Sequence, residues 1–199
     1  MEEWPVAIDR FARITGGDVP YWYTERANSG ILAGAAWRAG MIALEEYQVK
    51  KTGPATSAGP ERKRKVWNGR CDLWIGSEHA SVIIEAKQRW RDLSSKNFIP
   101  LCLDTLKSAV EDAKSTKGTS EDAAAGIAFV PLYIKRKKAP SVENLDKYLE
   151  SVVEKCEEKI QTKEVDLVAW CFPNSMREYT NQKTKNALPG VIIFGKGVK

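Results

Sequence analysis

The sequence predicts one mixed α/β domain, and three observations carry that expectation. Runs rich in β-branched and aromatic residues, at 82–86, 126–134, 165–172 and 191–194, read as buried strands. Between them lie stretches whose apolar residues recur at helical spacing. One carries Ile99, Leu103, Leu106, Val110 and Ala113, and another carries Val142, Leu145, Leu149, Val152 and Cys156. The chain has 199 residues with 43% hydrophobic composition, enough for a single core.

Residues 1–27 are aromatic-rich (Trp4, Phe11, Tyr21, Trp22, Tyr23) without a period, as expected of a cap over the core rather than a base-stacking surface. A first helix is expected from Asn28 or Ser29, as N-cap, to about Lys50. Its stripe of Leu32, Ala35, Ala36, Ala39, Ile42 and Ala43 has Glu46 at its centre, while Glu45 falls to the side near Arg38. A carboxylate centred on a buried stripe needs a cation to reach.

Residues 51–65 read as a linker of Gly, Pro, Ser and Thr that ends in Arg62, Lys63, Arg64 and Lys65, a basic run suited to phosphate. Val66 and Trp67 begin a short strand that Asn68-Gly69 breaks. After the hairpin come a helix over 95–114 with Pro100 in its first turn, a strand over 126–134 and the basic run 135–138. A helix over 141–160 follows, then strands at 165–172 and 191–194 separated by a surface loop at 173–189. This gives a cap (1–27), a core (28–134) and a C-terminal extension (135–199) of one domain.

The stretch from Arg70 to Trp90 organises the rest. Two apolar runs flank Gly76, Ser77, Glu78 and His79, the pattern of a hairpin. A two-residue loop at Ser77 and Glu78 sets Asp72 opposite Ile83, so Asp72, Glu85 and Lys87 share one face. Leu73, Ile75, Val82, Ile84 and Ala86 take the other. Acid-Xaa-Lys spacing also occurs at Glu61, Asp112 and Glu157, but only Glu85-Ala86-Lys87 closes a β-branched run. Carboxylates gathered on an apolar hairpin are held either by an ordinary salt bridge or by a metal ion.

With Asp72 on one strand and Glu85-Ala86-Lys87 on the next, the chain resembles the PD-(D/E)XK nuclease superfamily over roughly residues 30–133. Cys71 stands where a proline often precedes the acid. The resemblance implies a restriction-endonuclease-like core, α/β in class: a helix, a three-stranded antiparallel meander, a helix and a strand in a three-layer α/β/α arrangement. Here a helix and C-terminal strands are appended. It implies a metal-dependent nuclease that hydrolyses phosphodiester bonds, with DNA as the expected substrate and an endonuclease as the expected type. Asp72, Glu85 and the Ala86 carbonyl would hold Mg²⁺ or Mn²⁺. Lys87 would position water or stabilise charge, and Glu46 would serve as the helix glutamate. Gln88 would be a phosphate contact beside the basic run. The alternative is a non-catalytic nucleic-acid-binding or assembly module on the same fold.

Bulk properties accord with a polyanionic partner. Net charge is +5 and the isoelectric point about 8.9. The start carries acids where a signal peptide has lysines, and no apolar run approaches membrane-spanning length, so a cytoplasmic protein without a membrane partner is expected. Cys71, Cys102, Cys156 and Cys171 sit in apolar patterns and read as reduced thiols. The single histidine, His79, excludes His-rich metal sites, and neither a nucleophile elbow nor a phosphate loop is present. Double-strand cleavage by one site per chain would favour a homodimer.

Overall fold

The computed structural model describes residues 1–55, 64–117 and 123–198. Helix α1 (Glu3–Thr15) buries Trp4, Ile8 and Ala12. After a 3₁₀ turn at Pro20–Trp22 comes α2 (Glu25–Arg38). The chain then forms β1 (Ile42–Ala55), β2 (Arg64–Gly76), β3 (Ser81–Gln88) and the two-residue β4 (Arg91–Asp92). Next come α3 (Phe98–Lys117), β5 (Ala123–Tyr133), α4 (Val142–Gln161), β6 (Leu167–Cys171) and β7 (Val191–Gly197).

The main sheet runs β1-β2-β3-β5-β7-β6, with β4 paired to β5. β1, β2 and β3 form an antiparallel meander, and α3 carries the chain across to β5, which is parallel to β3. β7 then pairs antiparallel with both β5 and β6. Helices cover both faces. On one, α1 and α2 pack with Leu73, Ile84, Ala86, Ile127, Phe129 and Ile193. On the other, α3 and α4 pack with Ala128, Val130, Ile192 and Phe194. The fold is mixed α/β in three layers, mostly antiparallel, and of the N-terminal aromatics Trp4 and Tyr21 lie in the first of these cores with Trp22 packed against it, while Tyr23 is exposed.

The expected first helix is the largest correction. α2 starts a turn earlier than Asn28, and both Asn28 and Ser29 are buried within it. It also stops twelve residues before Lys50. Gly40, at φ 78°, closes the helix: its N–H donates to the Trp37 carbonyl and the Met41 N–H to that of Ala36. That pair of bonds is the Schellman closure, which glycine permits in the left-handed region.

Residues 42–55 are strand because they pair with β2 from Ile42↔Gly76 to Thr52↔Val66. This ladder overrides the helical preference of Ala43-Leu44-Glu45-Glu46. The linker expectation fails for the same reason at 51–55 and 64–65. Asn68 and Gly69 do not interrupt β2; they pair with Lys50 and Val49.

The hairpin loop is four residues rather than two. Gly76 pairs with Ser81, and the Ser77 N–H donates to the Ala80 carbonyl at 2.8 Å. In α3 the fully buried stripe is Phe98, Cys102, Leu106, Ala109 and Ala113, with Ile99, Leu103 and Val110 at its margin. β7 extends through Gly197, beyond the expected strand end at Phe194. All four cysteines are free and buried. Among the described residues no helix is long and apolar enough to cross a membrane.

Candidate functional site

Alternation along β3 sends Ile84 and Ala86 into the core beneath α2. Glu85 and Lys87 therefore point to the opposite face, towards α3. The β2–β3 ladder ends at Leu73↔Ile84. Beyond that pair the Asp72 carboxylate turns to the β3 backbone beside Glu85, with the hairpin register two residues from the expected one. There the Asp72 carboxylate replaces a backbone acceptor: its Oδ2 accepts from the Ala86 N–H at 2.6 Å.

Glu85 is 4% exposed. Its Oε1 lies 2.8 Å from the Lys51 ammonium of β1 and accepts from the Thr116 hydroxyl of α3 at 3.2 Å. Burial raises its pKa; Lys51 opposes that shift, and the Asp72 charge adds to it. The Lys87 ammonium meets Asp112 of α3 at 2.6 Å. Burial works against its charge, but Asp112, then Glu25 and Asp72, outweigh that effect and its pKa rises. Burial also pushes the Cys71 thiol up to about 12, with the Glu85 and Asp72 charges adding to the shift. Such a thiol stays protonated and inert.

A helix carboxylate that the sequence analysis did not single out also lies near these groups. Glu25, in the first turn of α2, has its pKa raised by burial and then by Asp72, against the charges of Lys87 and Arg89 and a hydrogen bond from the Gln88 backbone. Glu46, the residue expected in this role, is on β1 at φ 53°. Its Oε2 lies 3.2 Å from Arg70 Nε. The helical-stripe argument for Glu46 fails because no helix exists there. Glu45 is also on β1, with its carboxylate against Gly30 of α2.

Gln88 is a clasp between β3 and the start of α2. Its Oε1 accepts from Asn28 Nδ2 at 2.7 Å, and its Nε2 donates to the Tyr23 carbonyl at 2.7 Å. Both ends of the amide are engaged, tying β3 to the start of α2. Arg62 and Lys63 lie outside the described residues, and of Arg64 and Lys65 only the backbone, opening β2, is described.

Lys51, Asp112 and Thr116 were also unforeseen, since each meets its partner from a distant element. Glu25 had a usable signal. Thr24-Glu25 precedes the Ala stripe, with an extended residue at the cap and an acid in the first turn.

Four carboxylates (Glu25, Asp72, Glu85, Asp112) thus share this end of the sheet with two ammonium groups, Lys51 and Lys87. Among the described residues no three His, Cys, Asp or Glu side chains are grouped to enclose a metal ion. Mg²⁺ does not require that, because it keeps several waters and binds through one or two carboxylates plus substrate phosphate. Asp72 and Glu85, hard oxygen donors side by side on parting strands, fit such a site.

No protein-family model matches this chain, and no curated protein is similar to it. Among solved structures, that of a protein designated SSO0001 is 14% identical over 77% of this chain and 72% of that one, with a TM-score of 0.26.

Proposed function

We propose that this protein is a divalent-metal-dependent nuclease acting on DNA, with its site at the point where β2 and β3 part. The observation that carries the reading is the Asp72 carboxylate on the Ala86 N–H, the residue between Glu85 and Lys87. The order α2, antiparallel β1–β2–β3, crossover helix α3, parallel β5 agrees with the restriction-endonuclease-like core that the motif implies.

In this reading Asp72 and Glu85, with the Ala86 carbonyl, bind Mg²⁺ or Mn²⁺, and Glu25 replaces Glu46 as the helix glutamate. A bound ion supplies Lewis acidity and a more acidic water. Lys87 leaves the half-exposed Asp112 to neutralise charge growing on the phosphoryl oxygens. Glu25, whose burial favours the protonated form, accepts a proton from the attacking water.

One observation favours the alternative of a non-catalytic nucleic-acid-binding module: both lysines already have carboxylate partners, as in a structural ion-pair network. The two readings separate on plasmid and linear DNA incubated with Mg²⁺, Mn²⁺ or EDTA. Cleavage in metal but not in EDTA, lost at least a hundredfold in Asp72→Ala, Glu85→Ala and Lys87→Ala proteins that keep their circular dichroism, supports the nuclease. Metal-independent binding without cleavage supports the module.

A further inference from the structure

Glu85 has two donors on a single oxygen, and one of them travels unusually far. Lys51 is on β1, with β2 lying between it and β3. Lysines on a sheet edge ordinarily point to water. This one is 16% exposed and ends 2.8 Å from Glu85 Oε1.

Its route is cut by Gly69 of β2. A Cβ placed on Gly69 would come within 2.9 Å of Lys51 Cδ, 3.1 Å of Cγ and 3.2 Å of Cε. The missing side chain at Gly69 is the notch through which the lysine stem passes. Beside it, the Thr52 hydroxyl donates to the Ser115 carbonyl at 3.1 Å, fixing this part of β1 against the end of α3. The ammonium is therefore held in place by backbone and packing, not only by its charge partner.

A buried ion pair adds little to stability compared with hydrocarbon of similar volume, so stability alone gives weak reason for a lysine here. Its placement on a carboxylate expected to bind metal gives a stronger one. With all of these groups ionised, the four carboxylates exceed Lys51, Lys87 and the neighbouring Arg89 by one, a local negative charge that favours a cation.

The geometry points to Lys51 as a resident cation of the site: it holds the Glu85 carboxylate ready without metal, competes with Mg²⁺ for Oε1, and on displacement remains beside the substrate phosphate as a second lysine next to Lys87. This role rests on the metal-site reading above. Gly69 is the positioning residue that admits it.

The test is a calorimetric titration of the full chain with Mg²⁺ at about pH 8.5, far above the ordinary carboxylate range. Lys51→Met keeps the stem and removes the charge. It is expected to melt lower than the parent in EDTA, because Glu85 loses its partner, yet to bind Mg²⁺ on the order of fivefold more tightly, because the competitor is gone. Its turnover on DNA at saturating Mg²⁺ is expected to fall.

Gly69→Ala keeps the ammonium but crowds its path, and should tighten Mg²⁺ in the same direction by less. It decides the matter if Lys51→Met does not fold. A purely structural ion pair would lower the melting temperature and leave the Mg²⁺ Kd unchanged or weaker, which would overturn the inference alone. A parent protein that binds no Mg²⁺ would overturn the metal-site reading and this inference with it.

Discussion

The two sides of the sheet handle depth in opposite ways. At β2 and β3 a charged group, Glu85, is buried at 4% exposure and held by Lys51 and Thr116. At β7 the sheet is filled with hydrocarbon: Val191, Ile192, Ile193 and Phe194 are fully buried. Of these, Ile192 and Phe194 share a cluster with Leu106, Leu149, Val152 and Cys156 of α3 and α4. Burying hydrocarbon stabilises at about 25 cal/mol per Å², whereas desolvating ion pairs returns little. The contrast teaches that β7 buries hydrocarbon on both faces, whereas β3 buries hydrocarbon at Ile84 and Ala86 and gives up part of its other face to the charge of Glu85.

The largest expected effect that tests this contrast is on the hydrocarbon side. Phe194→Ala should cost about 3–5 kcal/mol through transfer and cavity terms. In a melting experiment that is a fall of ~10 °C for a chain of this size. A fall of only a degree or two would show that stability is not concentrated there.

The next effect lies on the charged side and separates two glutamates. Glu25→Gln should reduce metal-dependent cleavage roughly ten- to a hundredfold as an acid–base group is lost, while Glu46→Gln, which loses only its exposed pairing with Arg70, should stay within about twofold. The reverse ranking in a cleavage assay would return the role to the strand residue.

A smaller effect concerns the basic runs. Replacing Arg62, Lys63, Arg64 and Lys65, or Lys135, Arg136, Lys137 and Lys138, with serine should weaken DNA binding and flatten its salt dependence by about one slope unit per lost phosphate contact. The second run forms an exposed 3₁₀ turn, and in it Lys135 pairs with Asp92 at 3.3 Å. An unchanged salt slope would make both runs solvated surface.

The same contrast explains what the sequence could convey. The common face of Glu85 and Lys87 was legible because alternation has period two. A hairpin register two residues off leaves every side chain on its own face, whereas a one-residue error would have exchanged them. Strand β1 was not legible. Its Ala, Leu and Glu residues favour helix, and only the ladder with β2 holds it extended.

The Gly40 stop was present in the sequence, but a continuing apolar stripe through Ile42 and Ala43 concealed it. The partners Lys51, Asp112 and Thr116 were invisible, because each meets β3 only after the strands and α3 have packed. The C-terminal elements were readable from their own apolar runs, since burial among hydrocarbon leaves a local pattern and pairing of charges across strands does not.

The measurement that tests the central claim most directly needs no knowledge of the substrate. Asp72 has no ammonium at ion-pair distance among the described residues, while Glu85 on the neighbouring strand is also a carboxylate. Like charges ~4 Å apart repel by about 1 kcal/mol in water and about 4 at an effective dielectric of ~20, and Lys87 offsets part of that. Asp72→Asn keeps an acceptor for the Ala86 N–H and removes the charge. In EDTA it should therefore melt roughly 2–4 °C above the parent, the equivalent of about 1 kcal/mol. With ~10 mM Mg²⁺ the parent should rise by mass action and the variant much less. A variant that melts below the parent in EDTA, with no response of either protein to metal, would make the cluster an ordinary ion-pair network and contradict the account.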